Sequence, residues 1–195
     1  MREIRRVCVY CASSRQADPA FAEAAGQLGR VLAREGAAVV YGGAAIGSMR
    51  ALADGALAEG GRVVGVLPRF MYDMELAHPG LSELVLVDDL HERKRKMIDE
   101  VDAVVALPGG SGTLEELMEA ITWKRLGLFL NPIVIVNQGG FYDPLLEQFR
   151  RAVDGRFMDE RHLGMWTVVA RVDEVVATIK GAPGWSEDSR QFAAP

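Results

Sequence analysis

The residues best suited to chemistry gather around one stretch, Val101 to Trp123, which reads V-D-A-V-V-A-L-P-G-G-S-G-T-L-E-E-L-M-E-A-I-T-W. Three of the four residues from Gly109 to Gly112 are glycine, which costs conformational entropy unless the backbone needs it. Gly112 and Thr113 open a helix whose first N–H groups lack intrahelical partners. With small side chains around them they form a seat for a phosphate or another anion. Glu116 stands one turn further on. A carboxylate so close to an anion seat cannot help to hold the anion, so it is expected to address another part of the ligand. Upstream runs Arg93-Lys94-Arg95-Lys96. Arg93 and Lys94 fall between Leu90 and Met97, so at least one should point inward, whereas Arg95 and Lys96 are expected in solvent. An inward Arg93 needs an anionic partner, because burying an unpaired charge is costly.

An anion cradle, an inward arginine and a nearby carboxylate suit a phosphorylated small molecule. With a nucleoside monophosphate, Glu116 would face the ribose. Cleavage of an N-glycosidic bond passes through an oxocarbenium-like sugar, which a carboxylate can stabilise, attack, or attack through an activated water. Arg93 could bind phosphate, orient Glu116 or help the base leave. The plainer alternatives are an ordinary strand-to-helix turn, a buried Arg93–Glu116 ion pair, and a nucleotide-binding or carrier module without chemistry.

These groups need elements to position them. Apolar runs predict strands at Ile4–Tyr10, Ala37–Tyr41, Val63–Leu67, Leu84–Val87, Ala103–Leu107, Pro132–Val136 and Met165–Ala170. Helical spacing predicts helices from Asp18 to Arg34, Ile46 to Glu59, Asp89 onward, Gly112 onward, Tyr142 to Val153 and Val172 to Ile179. Leu90, Met97, Ile98 and Val101 are the expected buried stripe of the fourth helix. In the fifth, Leu114, Leu117, Met118 and Ile121 are expected in the core, with Glu116, Ala120 and Trp123 on nearly the opposite face. The alternation predicts an α/β fold: a Rossmann-like three-layer α/β/α with a mainly parallel sheet, whose site lies at the carboxyl ends of the strands. Those ends carry Ser13-Ser14, Gly42-Gly43, Pro68 and Pro108-Gly109-Gly110. Pro68 to Gly80 breaks the rhythm and reads as an irregular lid or edge segment. No G-x-G-x-x-G follows the first strand, so a nicotinamide fingerprint is absent.

At 195 residues, 49% hydrophobic and 25% charged, the chain suits a single domain, residues 1–180, with a disordered tail over 181–195. A net charge of -5 argues against a nucleic-acid binder. The start is too short in apolar residues for a signal peptide and no run of about 18 apolar residues occurs, so a cytoplasmic, membrane-free location is expected. Cys8 and Cys11 would face opposite sides of a strand, which favours two reduced, buried thiols over redox or metal chemistry. His78, His91 and His162 lack metal-ligand spacing. Trp123, on the second face of its helix, leads us to expect a homodimer whose partner walls the site.

P-G-G-S-G-T-L-E-E at Pro108 to Glu116 resembles the P-G-G-x-G-T-x-x-E motif of the LOG ("Lonely guy") family. These are cytokinin riboside 5'-monophosphate phosphoribohydrolases, long mislabelled as lysine decarboxylases. The likeness extends to C-A-S-S at Cys11 to Ser14, Y-G-G at Tyr41 to Gly43, H-E-R-K with Met97, and G-F-Y-D at Gly140 to Asp143. It implies hydrolysis of a nucleoside 5'-monophosphate to base and ribose 5-phosphate, without a cofactor, in a Rossmann-like homodimer. It implies Arg93 and Glu116 as catalytic residues. Nucleotide contacts would fall on Glu75, Arg93, Lys94, Thr122 and the loop Gly110, Ser111, Gly112, Thr113, Leu114, Glu115 and Glu116. Where the family commonly reads Y-G-G-G-x-x-G-L-M-G, this chain has Ala44, Ser48 and Arg50, a departure that bears on base preference more than on reaction class. Pyridoxal phosphate chemistry needs a Schiff-base lysine, and Lys94, Lys96, Lys124 and Lys180 sit in no convincing cofactor context.

Overall fold

The computed structural model describes residues 3–74, 76–186 and 188. Seven strands form one sheet in the order β4-β3-β2-β1-β5-β6-β7, every neighbouring pair parallel. They are β1 (Arg6–Tyr10), β2 (Ala38–Tyr41), β3 (Val63–Pro68), β4 (Glu83–Val87), β5 (Ala103–Ala106), β6 (Ile133–Val136) and β7 (Thr167–Val169). The chain steps outward from β1 to β4, then returns to lay β5 against the other side of β1 and continues to β7. The crevice between β1 and β5 is therefore the topological switch point, where ligands of such sheets bind.

Period two along the central strands sorts side chains between two cores. Val7, Val9 and Cys11, with Ala103, Val105 and Leu107, join the core under α1 (Pro19–Arg34), α2 (Gly47–Ala58) and α7 (Val175–Gly181). Cys8 and Tyr10, with Val104 and Ala106, face the core under α4 (Leu90–Ile98), α5 (Ser111–Arg125) and α6 (Asp143–Asp154). The two cysteines are thus buried free thiols on opposite faces. Among the described residues no group of three His, Cys, Asp or Glu could hold a metal ion, and no helix is long and apolar enough to cross a membrane.

Three expectations need correction. On α5 the side turned to the sheet carries Thr113, Glu116, Leu117, Ala120, Ile121 and Lys124, while Met118 is 39% exposed. Charged residues share the buried side because they find partners there, Lys124 Nζ in the Asn131 carbonyl at 2.8 Å and Glu116 in Arg93 at 3.9 Å. Leu90, at the first turn of α4, is 49% exposed instead of closing that helix's buried stripe. In the tail, Trp185 packs on the second core and donates its indole N–H to the Lys124 carbonyl at 3.0 Å, so the segment expected to lack structure is anchored there. Residues 187 and 189–195 of that tail lie outside the described residues. The irregular stretch after Pro68 contains the short α3 (Arg69–Tyr72) and one antiparallel bridge, Ala44 with Ala77.

α1 and α2 approach backbone to backbone. A Cβ on Gly55 would sit 2.1 Å from the Gly26 carbonyl oxygen, and one on Gly29 2.2 Å from that of Leu52. Backbone cannot swing aside as a side chain can, so Gly55→Ala is expected to destabilise the fold by about 2–3 kcal/mol. A lowered urea midpoint at unchanged m-value would register it.

Candidate active site

α4 starts where the Asp89 carboxylate accepts the Glu92 N–H at 2.7 Å. This register turns Arg93 and Lys94 inward, 7% and 6% exposed, and leaves Arg95 and Lys96 in solvent. The Arg93 guanidinium lies across the carboxyl ends of two strands. Its Nε donates to the Val66 carbonyl at 3.1 Å and Nη2 to the Gly42 carbonyl at 2.9 Å. Nη1 faces Glu116 Oε1 at 3.9 Å. Gly42 is required for this approach, since a Cβ there would fall 2.0 Å from Arg93 Nη2.

Opposite stands the start of α5. Gly110 caps it and no side chain bonds to its first N–H groups; the Leu114 N–H, bound to the Gly110 carbonyl at 3.0 Å, begins the helical ladder. The glycines divide the work. At Gly109 a Cβ would strike Thr113 Oγ1 at 2.2 Å, so that glycine lets the buried Thr113 fold back against the loop. At Gly110 and Gly112 a Cβ would meet nothing within 4 Å. Packing does not demand glycine at those two positions; they leave bare backbone facing open space at the positive end of a helix.

Two clefts flank the Arg93–Glu116 pair, and both are lined by Arg93, Ser111, Gly112 and Glu116. One, of about 320 Å³, runs under the β1 turn, with Ser13, Ser14, Ala44, Met49 and Met71 in its walls. The other, of about 380 Å³, opens between Leu90, His91, Lys94 and Glu115. Lys94 Nζ is held there by Glu115 and, at 3.2 Å, by Glu119. Burial pushes the Glu116 carboxyl up to about 7; Arg93 opposes the rise and Glu115 adds to it. Near neutrality this carboxyl is poised between its acid and its base form.

Most of the expected site residues therefore meet. Ser13, Arg93, Lys94, Ser111, Gly112, Glu115 and Glu116 line one cleft or both, and Gly110 and Thr113 line the first. Gly42 contributes through its carbonyl. Gly43 (φ +77°) shapes the turn below the site without lining a cleft, and Leu114 is half-buried beside it. Thr122 lines neither cleft: it is exposed further along α5, with its hydroxyl on the Met118 carbonyl at 2.8 Å. Trp123 likewise lines a groove between the α4–β5 and α5–β6 loops, at the opposite edge of the sheet, so within its own chain it does not wall the site. Glu75 lies outside the described residues. Of the departures at Ala44, Ser48 and Arg50, Ala44 lines the first cleft, whereas Arg50 is exposed and paired with Asp54 at 3.3 Å. The sequence reading missed the carbonyls of Val66 and Gly42, which carry no residue signature, and Glu119, whose i+4 spacing from Glu115 could have revealed the double carboxylate around Lys94.

A family model described as "Possible lysine decarboxylase" matches residues 49–179. A probable cytokinin riboside 5'-monophosphate phosphoribohydrolase of Oryza sativa subsp. japonica is 41% identical over 153 residues, 78% of this chain and 69% of that protein. The cytokinin riboside 5'-monophosphate phosphoribohydrolase of Rhodococcoides fascians is 39% identical over 177 residues, 90% of this chain and 89% of that one. Among solved structures, the molybdenum cofactor carrier protein of Chlamydomonas reinhardtii superposes with a TM-score of 0.69 over 91% of this chain and 96% of its own, at 22% identity, a likeness of fold.

The raised Glu116 carboxyl links stability to pH. Between its ordinary value of 4.5 and about 7 the folded chain binds more proton than the unfolded one, so stability falls as pH rises through that window. The loss should be on the order of 1–3 kcal/mol. Urea titrations at about pH 5 and about pH 8 should show it in the natural chain and not in Glu116→Gln.

Proposed function

The chain belongs to the LOG family of cytokinin riboside 5'-monophosphate phosphoribohydrolases, and from that membership we propose that it hydrolyses the N-glycosidic bond of a nucleoside 5'-monophosphate, a cytokinin riboside monophosphate or AMP. The products are free base and ribose 5-phosphate. In this reading Arg93 and Glu116 are the catalytic pair. The phosphate sits on the N–H groups from Ser111 to Thr113, and Glu116, one turn behind, faces the sugar. As the C1'–N bond breaks, the electron pair leaves with the base, positive charge grows on the sugar, and water supplies the hydroxyl at C1' and a proton to the base. The observation that carries the reading is the buried Glu116 carboxylate, 3.9 Å from Arg93, beside a helix start kept clear by Gly110 and Gly112. Whether Glu116 acts as nucleophile, base or electrostatic stabiliser, it must be ionised. Arg93 favours that form against the cost of burial.

The name of the matching family model suggests a different reaction, and the lysines oppose it. Lys94 is clasped by two carboxylates, Lys124 is bound to a backbone carbonyl away from the clefts, Lys180 pairs with Glu35, and Lys96 is exposed at the groove edge. None presents a free amine to a cofactor phosphate seat. A carrier without chemistry would explain the glycine loop but would have no use for a buried carboxylate at the sugar.

Incubation with AMP and with isopentenyladenosine monophosphate should release free base, detected by chromatography. Glu116→Gln and Arg93→Ala are expected to stay folded and to lose at least about 100-fold in rate. The natural chain's rate should rise with pH through about 7, following ionisation of Glu116. Undiminished release by Glu116→Gln would overturn the mechanism, and no release from any nucleotide would favour the carrier.

The reading extends to a cytoplasmic homodimer acting on free nucleotides. Its support is an apolar stripe along α5, where Met118 and Leu126 are 39% and 43% exposed, continued by Leu128 at 65% and by Leu90 on α4. Monomers rarely leave such a band uncovered. Thr122 lies within the stripe, between Met118 and Leu126 at i+4 spacing, so its contact with nucleotide would be made in the partner's cleft. Sedimentation should find a dimer for the natural chain and a monomer for Met118→Glu, with thermal stability changed by only a few degrees.

A further inference from the structure

The described residues of the segment from Pro68 to Gly80, 68–74 and 76–80, form a strap that reaches the first cleft at Met71. Its α3 brings Met71 into the cleft wall, while Phe70, Tyr72 and Met74 stand 53%, 47% and 64% exposed. Among its described residues few main-chain bonds hold it besides that of the Asp73 N–H to the Arg69 carbonyl at 2.9 Å. The Leu76 N–H reaches the Met71 carbonyl at 3.4 Å, and residues 76–78 then pair briefly with the loop after β2. There the Ala45 N–H donates to the Leu76 carbonyl and the His78 N–H to the Gly43 carbonyl, both at 2.9 Å. A two-bond bridge is weak by itself. Its loop partner matters to the site twice over: Ala44 lines the cleft, and the Gly42 carbonyl holds Arg93.

One side chain ties this strap to a different element. His78 is 8% exposed, and its Nδ1 accepts the Gly80 N–H at 3.1 Å, which puts the ring proton on Nε2. Nε2 then donates to Asp54 Oδ1 on α2 at 2.9 Å, while Asp54 Oδ2 takes Arg50 Nε at 3.3 Å. The imidazole therefore fastens the end of the strap to a rigid helix, and both of its nitrogens are committed. We propose that His78 is a positioning residue which, through Asp54, fixes the strap and with it the Met71 wall of the nucleotide cleft. This rests on the reading of that cleft as the nucleotide site. Arg93 takes its two carbonyl partners from Val66 and Gly42, neither of which the imidazole touches, so the tie is expected to act on how substrate is held rather than on the bond-breaking step.

The test is a set of variants assayed for base release from AMP, with amide hydrogen exchange at residues 45 and 78 as a second readout. His78→Ala should raise KM about tenfold with kcat within about twofold, and should speed exchange at both amides. Asp54→Ala, altered at a half-exposed position and so expected to fold, should behave the same way. Asp54→Asn keeps an acceptor for Nε2–H and should match the natural chain. The Nε2 of Gln occupies the place of the histidine Nε2, so His78→Gln should recover most of the KM. His78→Asn reproduces only the Nδ1 contact and should not recover it. An unchanged KM in His78→Ala, or a fall in kcat at constant KM, overturns the proposal. If the natural chain neither binds nor hydrolyses AMP or isopentenyladenosine monophosphate, the nucleotide reading falls and the role in holding substrate falls with it, while the exchange arm still decides whether the ring holds the strap.

Discussion

A buried guanidinium held by main-chain oxygens is the interaction on which the rest of this site depends. Arg93 is almost fully removed from water, and a cation in that position survives only if its hydrogen-bonding capacity and its charge are both answered. Two carbonyls at the ends of β2 and β3 answer the first requirement and Glu116 the second. Each demand reaches outward into the fold. The carbonyls must converge, which the parallel sheet arranges by ending neighbouring strands side by side. Gly42 must lack a side chain. α4 must start at Asp89 so that Arg93 faces in, and α5 must turn Glu116 toward the sheet, among Leu117, Ala120 and Ile121.

The loops around the pair are fastened by similar means. The Tyr142 hydroxyl donates to the Leu107 carbonyl at 2.7 Å, tying the segment after β6 to the last residue before the glycine turn. Gly47, at φ +58°, brings the start of α2 so close to the β1 turn that a Cβ would lie 2.3 Å from the Ser14 carbonyl oxygen, and the Met49 N–H closes on the Ala12 carbonyl at 3.1 Å. The proposed anion seat is thus held in place by contacts within the chain itself. A preorganised seat spares a ligand the entropy of ordering its own binding site.

Much of this was legible from residue order. The strands announced themselves as short apolar runs bounded by glycine or proline, and the alternation of periods two and 3.6 led to the parallel sheet and its carboxyl edge. Arg93 was visible because the spacing of Leu90 and Met97 turned it or Lys94 inward, and Glu116 because it stands one turn past the glycine-rich helix start, although it was expected on the face opposite the core. The orientation of α5 was not. Apolar periodicity counted Leu114 and Met118 as core, whereas Thr113, Glu116 and Lys124 take the buried face, the two charged groups with partners there. Leu90 failed in the same way, as an apolar residue left at an open edge. The partners of Arg93 were invisible for a deeper reason: every residue has a carbonyl, and only the fold decides which two meet.

That last point bears on how such a protein can diversify. An arginine gripped by side chains loses its grip whenever one of them mutates, but the oxygens of Val66 and Gly42 persist through almost any substitution that preserves the sheet. Arg93 is thereby insulated from drift, while the walls around the Arg93–Glu116 pair, formed by Ala44, Met71 and Leu90, are side chains free to change size and polarity. The architecture separates what must stay constant from what can be tuned, so one scaffold can explore new ligands without first surrendering its chemistry.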